Sequence, residues 1–210
     1  MTTGNPNTTS GMRLPAAARR RQLLDRAVEV FAAEGFHGTS MNDVAEAAGV
    51  TKPVLYQHFR SKRDLYLELL DDVGQQLQES IVTATARAAG PRQQVEAGFA
   101  AYFRHVDRHR SAFTLLFGSG ARLDDGFAEA VRRVETAIAE AVAALIEADV
   151  DDVHRRVLAY GVVGLAESTS RHWLAEGLEL DPDELAGQVA DLAWAGLRGV
   201  RPASAPLETS

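Results

Sequence analysis

One short stretch, GVTKPVLYQHFRSK at residues 49–62, concentrates side chains that bind phosphates and base edges. It holds Lys52 and Lys62, the only lysines of a 210-residue chain whose formal net charge is −7. Between them lie a tyrosine, a glutamine and a histidine, which all form hydrogen bonds. An acidic chain does not need such a cluster for solubility, so the stretch indicates one small face that contacts a polyanion.

The chemistry of these side chains predicts which groups of DNA each would contact. The amide of Gln57 can pair with an adenine edge, and Lys52 can reach guanine acceptors or a phosphate. Pro53 and Val54 are suited to apolar contact with thymine methyl groups. We expect the remaining polar residues to hold phosphates: Thr39, Ser40, Tyr56, His58 and Lys62.

Several of these residues also have a purely structural interpretation. Tyr56 would equally complete a small core, His58 would equally bond inside the protein, and Ser40 is fully explained as a helix cap. The arginines at 19–21 either follow the DNA backbone or enter the minor groove, or else they belong to a solvated tail. The combination of features, not any one of them, favours DNA binding.

The flanking residues predict three helices that would position this face. The first buries Leu23, Leu24, Ala27, Val28 and Phe31 at helical spacing, and Gly35 is expected to end it. Ser40 and Asp43 form a capping box for the second, which stops at Gly49.

Thr51 is the expected N-cap of a short third helix, and Pro53 is tolerated in its first turn. On this helix Leu55 and Phe59 share the buried face, so Gln57 points the opposite way. Ser61 and Asp64 are a second capping box, which opens a long helix to about residue 87. The order is that of a helix-turn-helix whose exposed helix lies in the major groove.

The composition excludes several classes of function. The chain has no cysteine, so thiolate catalysis and cysteine-based zinc sites are excluded. Residues 1–70 carry nine basic and seven acidic residues (+2), whereas residues 71–210 carry 13 and 22 (−9), so only the front is expected to meet DNA. No signal peptide or membrane-spanning run is present, and we expect a cytoplasmic protein without membrane contact.

The rest of the sequence predicts an all-α protein with a larger rear bundle. Helices are expected at 92–107, 111–117, 125–148, 152–176 and 183–198, with a break over 118–126. The predicted organisation is a flexible tail at 1–15, a helix-turn-helix domain at 16–62, an effector-binding and dimerisation domain at 63–200, and a second tail at 201–210.

Residues 19–66 closely resemble the DNA-binding domain of the tetracycline-repressor (TetR/AcrR) family. The resemblance lies in AVEVFAAEGF at 27–36, TSMNDVAEAAGV at 39–50 and LYQHFRSKRDL at 55–65. It implies a homodimer that binds a palindromic operator, usually as a repressor, and a rear domain that holds a small organic effector. By the family pattern these residues contact DNA: Ser40, Lys52, Pro53, Val54, Tyr56, Gln57, His58 and Lys62.

The family also implies that the last two helices pair across a two-fold axis. Small residues that allow close helix approach occur in both: Gly161, Gly164, Ala166, Ala186, Gly187, Ala190, Ala193 and Gly196. Trp173, Leu192, Trp194 and Leu197 would supply the bulk of a buried patch. Packing within one chain is the alternative.

Seven aromatic residues are candidate liners of the effector pocket, although aromatics at helical spacing also build ordinary cores: Phe99, Tyr102, Phe103, Phe113, Phe117, Phe127 and Tyr160. His105 and His109 lie one helical turn apart, but arginines surround them, so no metal site is predicted and no cofactor is expected.

Two other classes of function compete with this interpretation. The first is a DNA-binding adaptor or architectural factor controlled by a protein partner, which a rear bundle without a cavity would favour. The second is a helical enzyme, which is disfavoured because no acid–base pair, nucleophile constellation or glycine-rich phosphate loop occurs in the sequence.

Overall fold

The computed structural model describes residues 15–118 and 124–200, and every regular element in these ranges is an α-helix. The helices are α1 (Ala16–Gly38), α2 (Met41–Ala47), α3 (Lys52–His58), α4 (Lys62–Thr85), α5 (Pro91–Arg108), α6 (Arg110–Phe117), α7 (Asp125–Ala143), α8 (Asp152–Ala175) and α9 (Pro182–Leu197). The all-α prediction is confirmed. The predicted tails, apart from Pro15, and residues 119–123 of the predicted break lie outside the described residues.

The first three helices and the start of α4 enclose a small core. Leu23, Phe31, Leu55, Phe59 and Leu65 are all almost completely buried in it. The helical conformation of α1 breaks at Gly35, where φ is 70° and ψ is 171°. The turn between α2 and α3 passes through Gly49 with φ 65°. Both values favour glycine, because a Cβ strains the backbone in that region.

Serine caps begin α2 and α4, as the sequence predicts, but the two caps differ in detail. Ser40 and Asp43 form a reciprocal capping box. Ser61 accepts from the Asp64 amide, whereas the Asp64 carboxylate accepts from the amide of Arg60 and not from that of Ser61. Thr51 is the N-cap of α3, yet its side chain makes no capping bond.

The rear bundle is built on α4, which continues from the small core into the larger one. The helix packs against α5 and α7, and α5 in turn packs against α9. Leu69, Leu77 and Ile81 carry the buried face of α4 into this bundle. Helix α7 ends at Ala143, five residues before the predicted end. Arg155 of α8 donates to the carbonyls of Ala148 and Val150 in the segment that follows.

A cluster of aromatic and charged side chains joins the front of the molecule to the rear bundle. Arg63, at the start of α4, pairs with Asp124 at 2.6 Å and lies over the Phe127 ring at 4.8 Å. Phe127 also contacts Phe36 and Tyr66, with ring centroids 4.7 and 4.6 Å away. Asp124 accepts from the first amides of α7, so the same carboxylate caps that helix.

Candidate DNA-binding surface and ligand cavity

Helix α3 presents the predicted polar face to solvent. Leu55 and Phe59 are completely buried, while Tyr56 is 45% exposed and Gln57 is exposed on the opposite side. The other predicted contacts on this helix divide into Lys52 and Pro53, which are exposed, and Val54 and His58, which are half-buried. The structure therefore places the side chains predicted to read bases on one accessible surface.

Two cations on this surface have no carboxylate partner among the described residues. Lys52 lies at the start of α3, and Arg60 is exposed just after its end. Neither takes part in any of the ion pairs of the described chain. Arg60 was not among the sequence candidates, because an arginine outside a helix carries no periodic signal; its exposure beside α3 identifies it as a phosphate-binding candidate.

Lys62 and Thr39, in contrast, are directed into the protein. The Lys62 ammonium donates to the carbonyl oxygens of Phe36 and Thr39, both at 2.7 Å, and lies 4.5 Å from the centre of the Phe36 ring. Thr39 is buried, and its hydroxyl donates to the Gly35 carbonyl at 2.9 Å. Two of the three ammonium donors and the threonine hydroxyl are thus used inside the fold, and the structure does not present them as open phosphate ligands.

Ser40 is exposed, but its capping role dominates its surroundings. Its hydroxyl oxygen accepts from the amides of Asn42 and Asp43, and its own amide donates to the Asp43 carboxylate at 2.7 Å. These bonds lower the pKa of Asp43, so a negative charge sits at this helix start. The amides at the start of α2 are therefore already partly occupied by this cap.

The arginines at 19–21 also bond within the chain. Arg20 donates to the His58 carbonyl at 2.8 Å, pairs with Glu68, and lies over the Phe59 ring at 4.6 Å. Arg21 forms ion pairs with Asp25 and Asp72, at 2.8 and 2.7 Å. Arg19 donates to Gln22. The side chains at 20 and 21 are positioned to brace α1 against α3 and α4, a role that differs from both the DNA arm and the solvated tail that the sequence left open.

A mainly apolar cavity of about 240 Å³ lies in the rear bundle. Its wall combines residues of α4, α5, α7, α8 and α9 with Phe117 at the end of α6. From Pro91 to Tyr102 it follows twelve residues of α5, a rise of about 16 Å. The cavity is therefore elongated along α5.

The predicted pocket aromatics separate into two groups. Phe99, Tyr102 and Phe117 line the cavity. The other four do not line it. Phe103 packs against Trp173, Phe113 against Phe117 and Phe127 against Tyr66. The hydroxyl of Tyr160 forms a hydrogen bond with that of Thr136 on the outer side of α8.

The sequence missed much of the cavity wall. Trp194 and Leu197, assigned to a subunit interface, line the cavity, and so do Gln94, Glu135, Glu167 and Arg198. Spacing along one helix shows that a residue is buried, but it does not show which neighbouring helices leave space beside it. The way the five helices cross determines which buried residues line the cavity and which pack in the core.

The rings of His105 and His109 lie 4.6 Å apart between centroids. Burial, the second histidine and Arg108 lower the pKa of His105 to about 4. Within the described residues, no group of three or more side chains has the geometry to hold a metal ion.

The outer faces of α8 and α9 expose apolar side chains and glycines together. Val157 is 63% exposed on α8, and Leu192 is 62% exposed on α9. Beyond its own turn of helix, a Cβ added at Gly161, Gly164 or Gly187 would meet no atom of the described residues within 4 Å. Several residues assigned to the interface are instead buried within this chain: Ala166, Trp173, Ala186, Ala190 and Ala193.

A helix-turn-helix surface joined to a helical bundle with a cavity defines a DNA-binding transcriptional regulator. Residues 23–69 match the family of bacterial regulatory proteins called the tetR family, and residues 91–196 match the tetracyclin repressor-like C-terminal domain. The HTH-type transcriptional activator FasR of Mycolicibacterium smegmatis is 35% identical over 192 residues, which cover 90% of this chain and 88% of that protein. The HTH-type transcriptional repressor KstR2 of the same species is 34% identical over 114 residues, 52% of this chain and 53% of that protein.

Solved structures share the fold. A TetR-like transcriptional regulator from Rhodococcus sp. RHA1 superposes with a TM-score of 0.74 at 31% identity, covering 90% of this chain and all of that one. FadR from Bacillus subtilis, solved in complex with stearoyl-CoA, also reaches 0.74 at 17% identity, covering 86% and 99%. The chain belongs to the tetR family of transcriptional regulators, which is a non-enzymatic family. No described helix is both long and apolar enough to cross a membrane.

Proposed function

We propose that this protein is a homodimeric operator-binding regulator whose DNA affinity is controlled by an elongated apolar effector. The observation that carries this proposal is the pairing of an exposed α3 face with a cavity in the same chain. The head at 16–62 would bind DNA, and the rear domain at 63–200 would bind the effector and the second subunit. Helix α4 belongs to both, so it provides the physical connection between them.

The proposed DNA contacts follow from the exposed side chains of α3 and its surroundings. Gln57, Pro53 and Val54 would meet base edges, while Lys52, Tyr56 and His58 would fix the helix on the backbone. Arg60 joins this set because of its position. Ser40 would contribute at most a hydroxyl contact. Thr39 and Lys62 would position α2 and α4 and would not contact the phosphates directly.

The proposed dimer uses the outer faces of α8 and α9. Burial of the exposed Val157 and Leu192 side chains is favourable, and the open glycines on the same two helices leave room for a second backbone to approach. A two-fold axis along this face would present two α3 helices to one side of the DNA. Half-sites one turn apart, about 34 Å, would then form a palindromic operator.

The shape and lining of the cavity favour a long aliphatic effector. FadR, which has the same fold, was solved with stearoyl-CoA. A chain lying along α5 would bury its methylene groups against Phe99, Phe117 and Val163, at about 0.8 kcal/mol for each methylene removed from water. The effector can change operator binding only through its different affinities for the DNA-bound and free states.

FasR, which matches 90% of this chain, is named an activator, whereas KstR2 from two species, named a repressor, matches about half of it. Repression is the usual role in the family. Effector-controlled operator binding is compatible with either repression or activation of the regulated genes. A rear bundle without a cavity would favour the adaptor alternative, so a cavity of about 240 Å³ counts against it.

Operator selection followed by ligand titration tests the proposal. Genomic fragments retained by the purified protein would be sequenced, and fluorescence anisotropy would follow the selected operator while stearoyl-CoA or hexadecanoic acid is added. We expect a single palindromic motif and an affinity that changes with the ligand. Retention without a motif, or an affinity that no chain-bearing ligand changes, would refute the proposal. A promoter–reporter assay on the same operator then gives the sign of regulation.

A further inference from the structure

A surface groove of about 520 Å³ runs between α4 and α5. It follows α4 from Gln76 to Ala84, a rise of about 12 Å. Small side chains on both helices, including Ser80 and Ala101, leave space between them. No described residue lines both this groove and the apolar cavity, so the groove is a separate site on the surface of the rear bundle.

Basic side chains dominate the groove. Five of its eleven lining residues are basic: Arg87, Arg104, His105, Arg108 and His109. The one carboxylate among the described lining residues is that of Glu79, which accepts from the Gln75 amide at 2.8 Å. With neutral histidines, three arginines (+3) and one glutamate (−1) give the groove a formal charge of +2, whereas residues 71–210 as a whole carry −9. The groove is therefore a positive surface on an acidic domain, and it attracts anions.

Two of the arginines are free to bind a ligand. Arg87 lies just after α4 and Arg108 is the last residue of α5; both are exposed, and neither forms an ion pair within the described ranges. Arg104, in contrast, pairs with Asp183 through Nε and Nη2, at 2.5 and 2.9 Å. A connection of five residues joins α4 to α5, and two packed helices joined in this way run antiparallel. Arg87 and Arg108 therefore lie at opposite ends of the groove.

The histidine pair marks the Arg108 end of the groove. The rings of His105 and His109 lie 4.6 Å apart between centroids. Burial, His109 and Arg108 lower the pKa of His105 to about 4, and each of these three effects disfavours the charged imidazole. An anion bound at this end would favour the charged form and reverse part of the shift.

The chemistry of the lining side chains favours phosphoryl oxygens as their partners. A guanidinium donates two parallel hydrogen bonds to a phosphate, a geometry that an ammonium lacks. The Ser80 and Thr83 hydroxyls also line the groove, make no side-chain hydrogen bond within the described residues and can donate to further oxygens. A single phosphate reaches only one end of the groove, whereas several linked phosphoryl groups span it.

We propose that the groove between α4 and α5 binds an extended organic polyphosphate, whose two ends contact Arg87 and Arg108. The shared chemistry is several phosphoryl groups on one small molecule, which nucleoside triphosphates and coenzyme A both carry. Helix α4 forms one wall, so the ligand contacts the same helix that joins the head to the rear bundle. The site does not depend on the effector proposed for the cavity.

Calorimetric titration of the full chain tests the groove with four probes: inorganic phosphate, tripolyphosphate, ATP and coenzyme A. The buffer is at pH 7.5 and about 0.15 M salt, where distant charges are largely screened. The Arg87→Gln/Arg108→Gln variant removes the two free charges. The matched control is Arg132→Gln/Arg133→Gln, since it removes two exposed arginines of α7 that do not line the groove. Thermal unfolding of both variants verifies that they are folded.

We expect tripolyphosphate to bind about tenfold more tightly than inorganic phosphate, the ratio that one further charge-assisted hydrogen bond gives. Arg87→Gln/Arg108→Gln should lose this gain, whereas the control should change the affinity by less than about twofold because its charges act from outside the groove. In NMR titrations, tripolyphosphate should raise the pKa of His105. The tighter ligand of ATP and coenzyme A identifies the source of the phosphoryl groups.

Equal binding of phosphate and tripolyphosphate would overturn the extended site, and so would an equal loss of affinity in the two double variants. Tighter binding of a tetraglutamate peptide than of tripolyphosphate would assign the groove to an acidic protein partner instead. A loss of operator affinity in the ligand-free Arg87→Gln/Arg108→Gln variant would assign it to DNA. Failure of operator selection or of fatty-acid binding would leave these results unchanged, so the two proposals fail separately.

Discussion

The ammonium of Lys62 lies 2.7 Å from the carbonyl oxygen of Phe36, and this bond ties the first residue of α4 to the last turn of α1. A second bond of the same length reaches the carbonyl of Thr39, just before α2. One side chain thus holds three helices of the head in register. A lysine that the sequence assigns to the DNA backbone is used first to set the angle of the helices that meet the DNA.

Lys62→Met should therefore act on stability more than on charge. We expect the free energy of unfolding to fall by about 2 kcal/mol, the range for hydrogen bonds to charged groups, as measured by urea denaturation. Operator affinity should fall while its salt dependence stays the same. Lys52→Ala is the contrasting variant: it should leave stability unchanged and flatten the salt slope by about one unit. A flattened slope for Lys62→Met would restore its role as a phosphate ligand.

Gln57→Ala should change which operators the protein prefers. The residue is exposed in the middle of α3, opposite the buried Leu55 and Phe59, so it is placed to meet base edges. Loss of a good bidentate pair costs about 1–3 kcal/mol at the base pair it reads and little elsewhere. Anisotropy titrations with single-base operator variants would show this. Gln75→Ala, an exposed glutamine on α4, is the control, and an equal loss on all operators would contradict base reading by Gln57.

Gly74→Ala should destabilise the rear bundle even though alanine is the better helix former. A Cβ at this position would lie 2.3 Å from Val134 Cγ2, so α4 and α7 would have to separate. Overpacking of this kind costs about 1–3 kcal/mol, more than the propensity gain of about 1 kcal/mol. Chemical denaturation of Gly74→Ala, Val134→Ala and the double variant would measure the effect. In the double variant, Val134→Ala should reduce the destabilisation that Gly74→Ala causes. Strictly additive changes in the free energy of unfolding would argue against a direct contact.

Leu192→Glu should produce monomers. The leucine is 62% exposed on α9, and a buried carboxylate opposite its symmetry mate is strongly unfavourable in a dimer interface. Sedimentation velocity should show the mass halved, and affinity for a two-half-site operator should fall at least tenfold. Leu178→Glu changes a leucine exposed between α8 and α9 and should do neither. An unchanged mass for Leu192→Glu would place the interface elsewhere.

Acid should weaken the fold partly through His105. Burial, His109 and Arg108 lower its pKa from 6.5 to about 4. Between these values the unfolded chain binds the proton and the folded chain does not, so stability is lost as the pH falls from about 6.5 to 4. Urea denaturation at pH 7.5 and pH 5 should show a smaller loss for His105→Gln than for the unmodified protein. His154→Gln serves as the control, and an identical loss in all three proteins would exclude this source of acid sensitivity.

The head could be derived from the sequence because its signals are local. Ser40 and Asp43 cap one helix, Gly49 supplies the positive φ of the turn, and Leu55 and Phe59 repeat at the spacing that assigns Gln57 to the opposite face. Each signal depends on residues within about four positions of one another, the range over which helix geometry relates sequence to space. Helix bounds in the rear bundle were predictable for the same reason, except at α7.

Only the tertiary structure decided which residues share a site. Lys62 looks like a phosphate ligand until the carbonyls of Phe36 and Thr39, 26 and 23 positions away, come within 2.7 Å of it. Phe103 and Phe99 have the same helical signature, yet one packs in the core and the other faces the cavity. Trp194 joins the cavity and Leu192 the outer face, although both lie on α9. Spacing within one helix shows which residues are buried. Which residues a buried side chain contacts depends on how helices distant in the sequence cross, and that arrangement could not be inferred from local sequence patterns.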